Sequence, residues 1–268
     1  MDKPRKMEPC LMLKFRAFDI AIIALCGALY AVVGYLTSFG LSFGGVAFWP
    51  AAFVPAIFAV MFGPWEGGIG AAIGIFIRDI VVIGQPLLSF TVGVPANLVA
   101  FFLIGYFART KLDRKKTLLS LIIGIGVILA GLLLPAIFTT ESLSYTGLST
   151  ETVLILFSVL MAVSLTLFAV IAKYWKEFRS FGVGSITGMA VGALIIGIGV
   201  WAYSQLFYAP SGYFTAPLSG SFASLIFVWT FVTEIPFVLL VVPPVVKAAQ
   251  EAFPFLKQRS VGQEKAYQ

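Results

Sequence analysis

Apolar residues run through this chain in stretches of about 20, the length a helix needs to cross a hydrocarbon core, and basic residues gather between them. The pattern predicts eight spanning helices, at about 17–37, 46–62, 67–83, 87–107, 118–138, 152–172, 185–206 and 222–244. The second is broken by Pro50 and Pro55 and joined to the third by the turn Phe62-Gly63-Pro64-Trp65-Glu66-Gly67-Gly68. Short spans interrupted by Pro or Gly border binding cavities in transporters; a plain helical hairpin has the same local pattern. The fold class expected is therefore all-α, a polytopic transmembrane bundle.

Charge orients the bundle. Seventeen of the eighteen Lys and Arg residues fall at the N-terminus (Lys3, Arg5, Lys6, Lys14, Arg16), at Arg109–Lys116, at Lys173–Arg179 and in the C-terminal segment from Lys247. Positive loops are retained in the cytoplasm during insertion, so an even number of crossings separates each pair of clusters and both termini lie inside. The intervening loops, about 38–45, 84–86, 139–151 and 207–221, hold no Lys or Arg. At 60% hydrophobic and 11% charged residues, against about 25% charged in soluble domains, the chain reads as one integral membrane domain. Residues 1–16 form its cytoplasmic basic leader and 247–268 its cytoplasmic tail. The net charge of +6 follows from this topology and gives no reason to expect nucleic acid.

The chain has no histidine and only two cysteines, Cys10 and Cys26. Serine–histidine catalysis, histidine proton relays and zinc sites lack their usual groups. No catalytic residue, metal site or cofactor is expected, and the protein is read as a non-enzyme.

Polar groups inside spans cost energy and mark candidate sites. Four stand out: Arg78 and Asp79 in the third span, Asn97 in the fourth and Glu234 in the eighth. Gly70, Gly74 and Arg78 share a helix face, so a neighbouring helix can approach and shield Arg78 from lipid. An ion pair of Arg78 with Asp79 or Glu234 that locks the bundle competes with a cavity-facing role for these charges. Glu234 shares a face with Thr230 one turn away and has Pro236 beside it, whose missing N–H and ring disturb the backbone; a ligand cation, a hydroxyl or a carried proton are its prospective guests. The aromatic loop 207–217, with Tyr213, suits either an interfacial belt or a lid over a flat ligand. Trp49 and Trp229 complete the candidate substrate-binding set. In the first span Ala17, Ala21, Ala24 and Ala28 form a stripe of small residues for helix packing, either internal or against a second membrane protein.

Taken together, the basic leader, the alanine-striped first helix, Phe62-Gly63-Pro64-Trp65-Glu66-Gly67-Gly68 followed by Gly70-Ala71-Ala72-Ile73-Gly74 and Asp79, and Val94-Pro95-Ala96-Asn97 resemble the substrate-binding S component of energy-coupling-factor (ECF) vitamin transporters. The resemblance is strongest over 14–110. The family has six spans; the extra pair here would lie between the fourth and the last. The resemblance implies a protein that binds a water-soluble vitamin or related micronutrient at the outer face. Its implied partners are a transmembrane T subunit and a pair of ABC ATPases, with the alanine stripe as part of the docking face. The absence of a phosphate-binding Gly-x-x-x-x-Gly-Lys-Ser/Thr loop accords with an ATPase housed elsewhere. A proton- or sodium-coupled secondary transporter, with Asp79 and Glu234 carrying the ion, is the rival reading.

The topology is testable by labelling from outside intact cells. In a background lacking Cys10 and Cys26, cysteines introduced at Thr146 and Gly212 should react, and those at Asp113 and Glu177 should not. Labelling at position 113 overturns the eight-span arrangement.

Overall fold

A computed structural model of the protein describes residues 15–37, 42–43, 46–110, 149–209 and 212–254, with isolated positions 118, 122 and 126. The expected span at 118–138 and the basic leader lie almost wholly outside these residues. Within them the chain is helical apart from a two-residue strand pair, Ser42–Phe43 with Val46–Ala47. The helices are α1 (Ala17–Thr37), α2 (Phe53–Met61), α3 (Pro64–Val82), α4 (Pro86–Arg109), α5 (Thr150–Tyr174), α6 (Arg179–Leu206) and α7 (Ser221–Ala252). Five of them, α1, α4, α5, α6 and α7, are long and apolar enough to cross a membrane. Helix α3 has 19 residues but carries Glu66, Arg78 and Asp79. Outward faces bear Leu29, Val32, Ile155, Val159 and Ile198, side chains suited to lipid rather than water.

The second expected span, read as broken by Pro50 and Pro55, is not a spanning helix in the structure. Over 46–62 the chain makes the second strand, a 3-10 turn at Pro50–Ala52 and the nine-residue α2. The prolines are accommodated at helix starts, where a missing N–H costs nothing. Helix α2 contacts α1, α3, α4 and α7 and is the short central element of the bundle. The others follow in the order α1, α3, α4, α6, α7, α5, each touching the next.

Glycine sets these contacts. A Cβ at Gly74 would lie 2.7 Å from the carbonyl oxygen of Gly27, and one at Gly70 would lie 2.6 Å from Cys26 Sγ. The α1–α3 seam is therefore a backbone-to-backbone approach, as the shared face of Gly70 and Gly74 predicted. Helix α6 repeats the device: Cβ atoms at Gly184, Gly188 and Gly192 would strike Phe107 and Ala100 on α4. At the turn before α3, the Glu66 carboxylate occupies the place a side chain at Gly63 would need. Glu66 lies in the first turn of α3, where a negative charge faces the positive end of the helix dipole.

The described basic residues that flank helices collect at one end of the bundle. Phe18 at the start of α1 meets Phe62 at the end of α2, and Arg109 at the end of α4 donates to Ala59 O of α2 at 2.6 Å. Arg179 at the start of α6 donates to Ala172 O of α5 at 2.6 Å. Between these ends lies a cavity of about 320 Å³ bordered by Val60, Arg109, Glu177, Ser180 and Gln250. Helix α7 runs unbroken through Pro236, Pro243 and Pro244 to Ala252, eight residues beyond the expected end at 244.

If the α1–α3 seam holds the fold, Gly74→Ala should lower unfolding stability in detergent by about 1–3 kcal/mol, the usual cost of overpacking. Gly220→Ala, where a Cβ meets open space, should leave it unchanged. Equal melting of both variants would show that the seam can relax.

Candidate functional site

The opposite end of the bundle holds a second cavity, of about 80 Å³. It lies just before the N-terminus of α2, with Val46, Ala47 and Trp49 forming one wall. Helix α3 contributes Arg78 and Asp79, α4 contributes Ser89 and Asn97, α6 the apolar Ile196 and Val200, and α7 contributes Glu234.

Local backbone chemistry positions the α4 groups. Pro95 has no N–H to offer Thr91 O, and its ring crowds that carbonyl. The ladder upstream slips to five-residue spacing over Ser89–Gly93, with Val94 N–H donating to Ser89 O. Such π turns are frequent at functional sites. Ser89 and Asn97 end up on the cavity side, on either side of the slip. Asn97 is fixed by donating from Nδ2 to Gly93 O at 2.9 Å and accepting at Oδ1 from the Tyr30 hydroxyl at 2.7 Å. Tyr30 in turn accepts from Trp49 Nε1 at 2.6 Å. This relay joins α1, the lead-in to α2, and α4.

The ion pair is formed by sequence neighbours. Arg78 donates from Nη1 to Asp79 Oδ1 at 3.0 Å, and Ser89 Oγ donates to Asp79 Oδ2 at 2.7 Å. The guanidinium carbon lies 4.6 Å from the centroid of the Trp49 ring, close enough for a cation–π contact. Arg78 Nε is buried with no hydrogen-bond partner. Of the two partners considered for Arg78, the structure selects Asp79. The two residues thus brace the bundle and face the cavity at once.

Glu234 differs. It is part-buried and borders the cavity, yet its carboxyl makes no hydrogen bond or ion pair with any described residue. No described residue neutralises it.

Five of the eight expected binding residues therefore meet around one space: Trp49, Arg78, Asp79, Asn97 and Glu234. The other three do not line it. Trp229 is buried and donates from Nε1 to Val46 O at 3.0 Å, which ties α7 to the cavity wall. Thr230 is buried with its hydroxyl unpartnered. Tyr213 stands on the segment between α6 and α7 and is 40% exposed. Its phenol is pushed above the ordinary tyrosine range, first by burial and then by the Asp79 carboxylate, with Arg78 opposing; it stands within electrostatic reach of the pair. That segment is anchored where Gln205 Nε2 donates to Leu218 O and Leu218 N–H donates to Ser204 Oγ.

Two contributors were not expected, Tyr30 and Ser89. Tyr30 lies on the i, i+3, i+7 face with Gly27 and Gly34, but its partners Trp49 and Asn97 are distant in sequence. Ser89 had no local signal; only the turn after α3 brings it back to Asp79.

No cluster of three or more His, Cys, Asp or Glu residues occurs among the described residues. Comparison of the chain with protein-family models, curated proteins and solved structures finds no match.

The division between braced and unbraced charges has a direct test in thermal unfolding. Arg78→Gln leaves Asp79 without its counter-ion and should cost about 3–5 kcal/mol, as expected when half of a buried pair is removed. Glu234→Gln changes a carboxyl that makes no hydrogen bond or ion pair with a described residue and should fold as well as the parent. Early melting of Glu234→Gln alongside a stable Arg78→Gln would reverse the two roles.

Proposed function

We propose that this protein is a membrane-embedded solute-binding subunit, the S component of an ECF-type importer. It captures a water-soluble vitamin or related micronutrient and performs no chemistry on it. The observation that carries the reading is the cavity in which Arg78, Asp79 and Asn97 are held by the scaffold while Glu234 has no hydrogen-bond or ion-pair partner among the described residues. An uncompensated carboxyl within a bundle is expensive, and a bound solute can offset that cost.

The orientation we infer is N-in and C-in, with eight spans and a cell-membrane location. It rests on the positive-inside rule and puts the basic helix ends in the cytoplasm and the small cavity on the outer side. At about 80 Å³ the cavity falls well short of the roughly 300–1,000 Å³ of small-molecule pockets. Admitting a vitamin-sized ligand requires the non-helical wall Val46–Trp49 or the Tyr213 segment to move.

Partner docking draws on α1. Ala17, Ala21, Ala24 and Ala28 are all exposed, while Cys26, Gly27, Tyr30 and Gly34 of the same helix are buried. Of the two roles open to the stripe, internal packing is not used among the described residues. A surface of small side chains lets another helix come close, and we assign it to a T subunit that works with a pair of ABC ATPases. A self-sufficient proton- or sodium-coupled carrier, with Asp79 and Glu234 as the ion-carrying groups, draws on the small volume of the cavity. Uptake that persists without any ATPase, driven by an ion gradient alone, would establish that alternative.

Ala21→Trp, Ala24→Trp and Ala28→Trp should each abolish uptake in cells while ligand binding by the purified protein is retained. If binding fails together with uptake, the stripe supports the fold and not a partner.

A further inference from the structure

We propose that the solute selected by the small cavity is an organic cation of single positive charge bearing N–H groups, with Glu234 as its counter-charge and hydrogen-bond acceptor. The inference rests on reading this cavity as a solute site and goes on to name the chemistry of the guest.

Charge balance comes first. Among the described residues three charged side chains line the cavity: Arg78, Asp79 and Glu234. Arg78 and Asp79 cancel through their ion pair at 3.0 Å, and Ser89 occupies the second Asp79 oxygen. The Glu234 carboxyl remains without a counter-ion among the described residues. The other described basic residues, Arg16, Arg109, Lys173, Lys176, Arg179 and Lys247, flank the opposite ends of their helices, so none supplies the missing cation. A neutral or anionic guest would leave a carboxylate uncompensated beside an apolar wall of Ile196 and Val200, where desolvation is costly. A monocation removes that cost.

Hydrogen bonding narrows the class. Three described donors near Glu234 are committed elsewhere: Tyr30 O–H to Asn97, Trp49 Nε1 to Tyr30, and Ser89 O–H to Asp79. The Thr230 hydroxyl, one turn away, is unpartnered but makes no bond to Glu234. A guest that brings its own donors suits this carboxyl, as an ammonium, amidinium or guanidinium group does and a quaternary ammonium does not. A bare metal ion fits poorly. Calcium takes six to eight oxygen ligands, whereas Asp79 is engaged at both oxygens and the Asn97 oxygen is taken by Tyr30. Arg78 Nε, buried and unpartnered, adds a donor for an uncharged acceptor elsewhere on the guest, such as a hydroxyl or carbonyl oxygen.

The test uses the full-length protein in lipid nanodiscs and a matched set of small probes: methylguanidinium, its neutral isostere methylurea, acetate, and sodium ion. Binding is read by calorimetric titration at constant ionic strength, for the parent and for Glu234→Gln. Methylguanidinium should bind saturably to the parent and at least about tenfold more weakly to Glu234→Gln, a difference of about 1.4 kcal/mol or more. Methylurea and acetate should show no preference for the parent. The proposal is overturned if methylguanidinium does not bind, if it binds both proteins equally, or if methylurea, acetate or sodium binds the parent as tightly. The importer reading stands or falls separately. Cation binding with ATPase-independent uptake removes the ECF assignment and keeps this inference; ATPase-dependent uptake with no preference for the cation does the converse.

Discussion

The architecture depends on one helix that is too short. Nine residues give α2 a length of about 14 Å at 1.5 Å per residue, less than half of the roughly 30 Å of a hydrocarbon core. It nevertheless sits at the centre, contacted by α1, α3, α4 and α7. A central helix of that length leaves space at both of its ends, and the two cavities lie there: the smaller before its first turn, beside Trp49, and the larger after its last, beside Val60. Its terminal backbone groups also require partners in surroundings poor in water. At the C-terminal end Arg109 supplies one by donating to Ala59 O, and the positive charge there suits the helix dipole.

Around this element the molecule separates rigidity from recognition. The seams between neighbouring helices are built from glycine and alanine, where backbone meets backbone and a single added methyl group collides with a carbonyl. The polar groups stand where seams end. Tyr30 is one turn beyond Gly27, Arg78 one turn beyond Gly74, and Asn97 one turn beyond the π turn of α4. Each is fixed by a hydrogen bond or ion pair to another part of the fold, so their geometry is set before any guest arrives. Glu234 is the exception, a carboxyl placed by α7 with no hydrogen-bond or ion-pair partner among the described residues.

Periodic features were the ones that sequence disclosed. Within the described residues the long apolar stretches became α1, α4, α5, α6 and α7 with ends shifted by up to eight residues, while the stretch at 118–138 lies outside them; the Gly70–Gly74 face packed on α1 as its spacing required. The second span was misjudged because its hydropathy is high throughout, and hydropathy does not distinguish a helix from an extended wall that is equally buried. The prolines at 50 and 55 marked the interruption but not its form. Among the site residues, Arg78, Asp79, Asn97 and Glu234 were visible because a charge or amide in an apolar stretch is conspicuous in itself. Tyr30 and Ser89 were not, since their role is created by partners 67 and 10 residues away. Trp229 was placed in the cavity for its proximity to Glu234 along α7, but its indole points to the strand wall instead.

The separation of seam from site also bears on how such a protein can change over generations. The seams tolerate almost no variation, because each glycine faces a backbone atom that cannot retreat without moving a whole helix. The cavity residues Glu234, Ile196 and Val200 belong to a different set: none of them is among the atoms that a side chain at a seam glycine would first meet, and they bear none of the hydrogen bonds that hold the relay. They can be exchanged while the scaffold keeps its shape. Lineages descended from one such bundle could therefore diverge in the molecules they recognise while remaining superimposable in their helices, with substitutions concentrated on the walls of α6 and α7 and stasis on α1, α3 and the first half of α6.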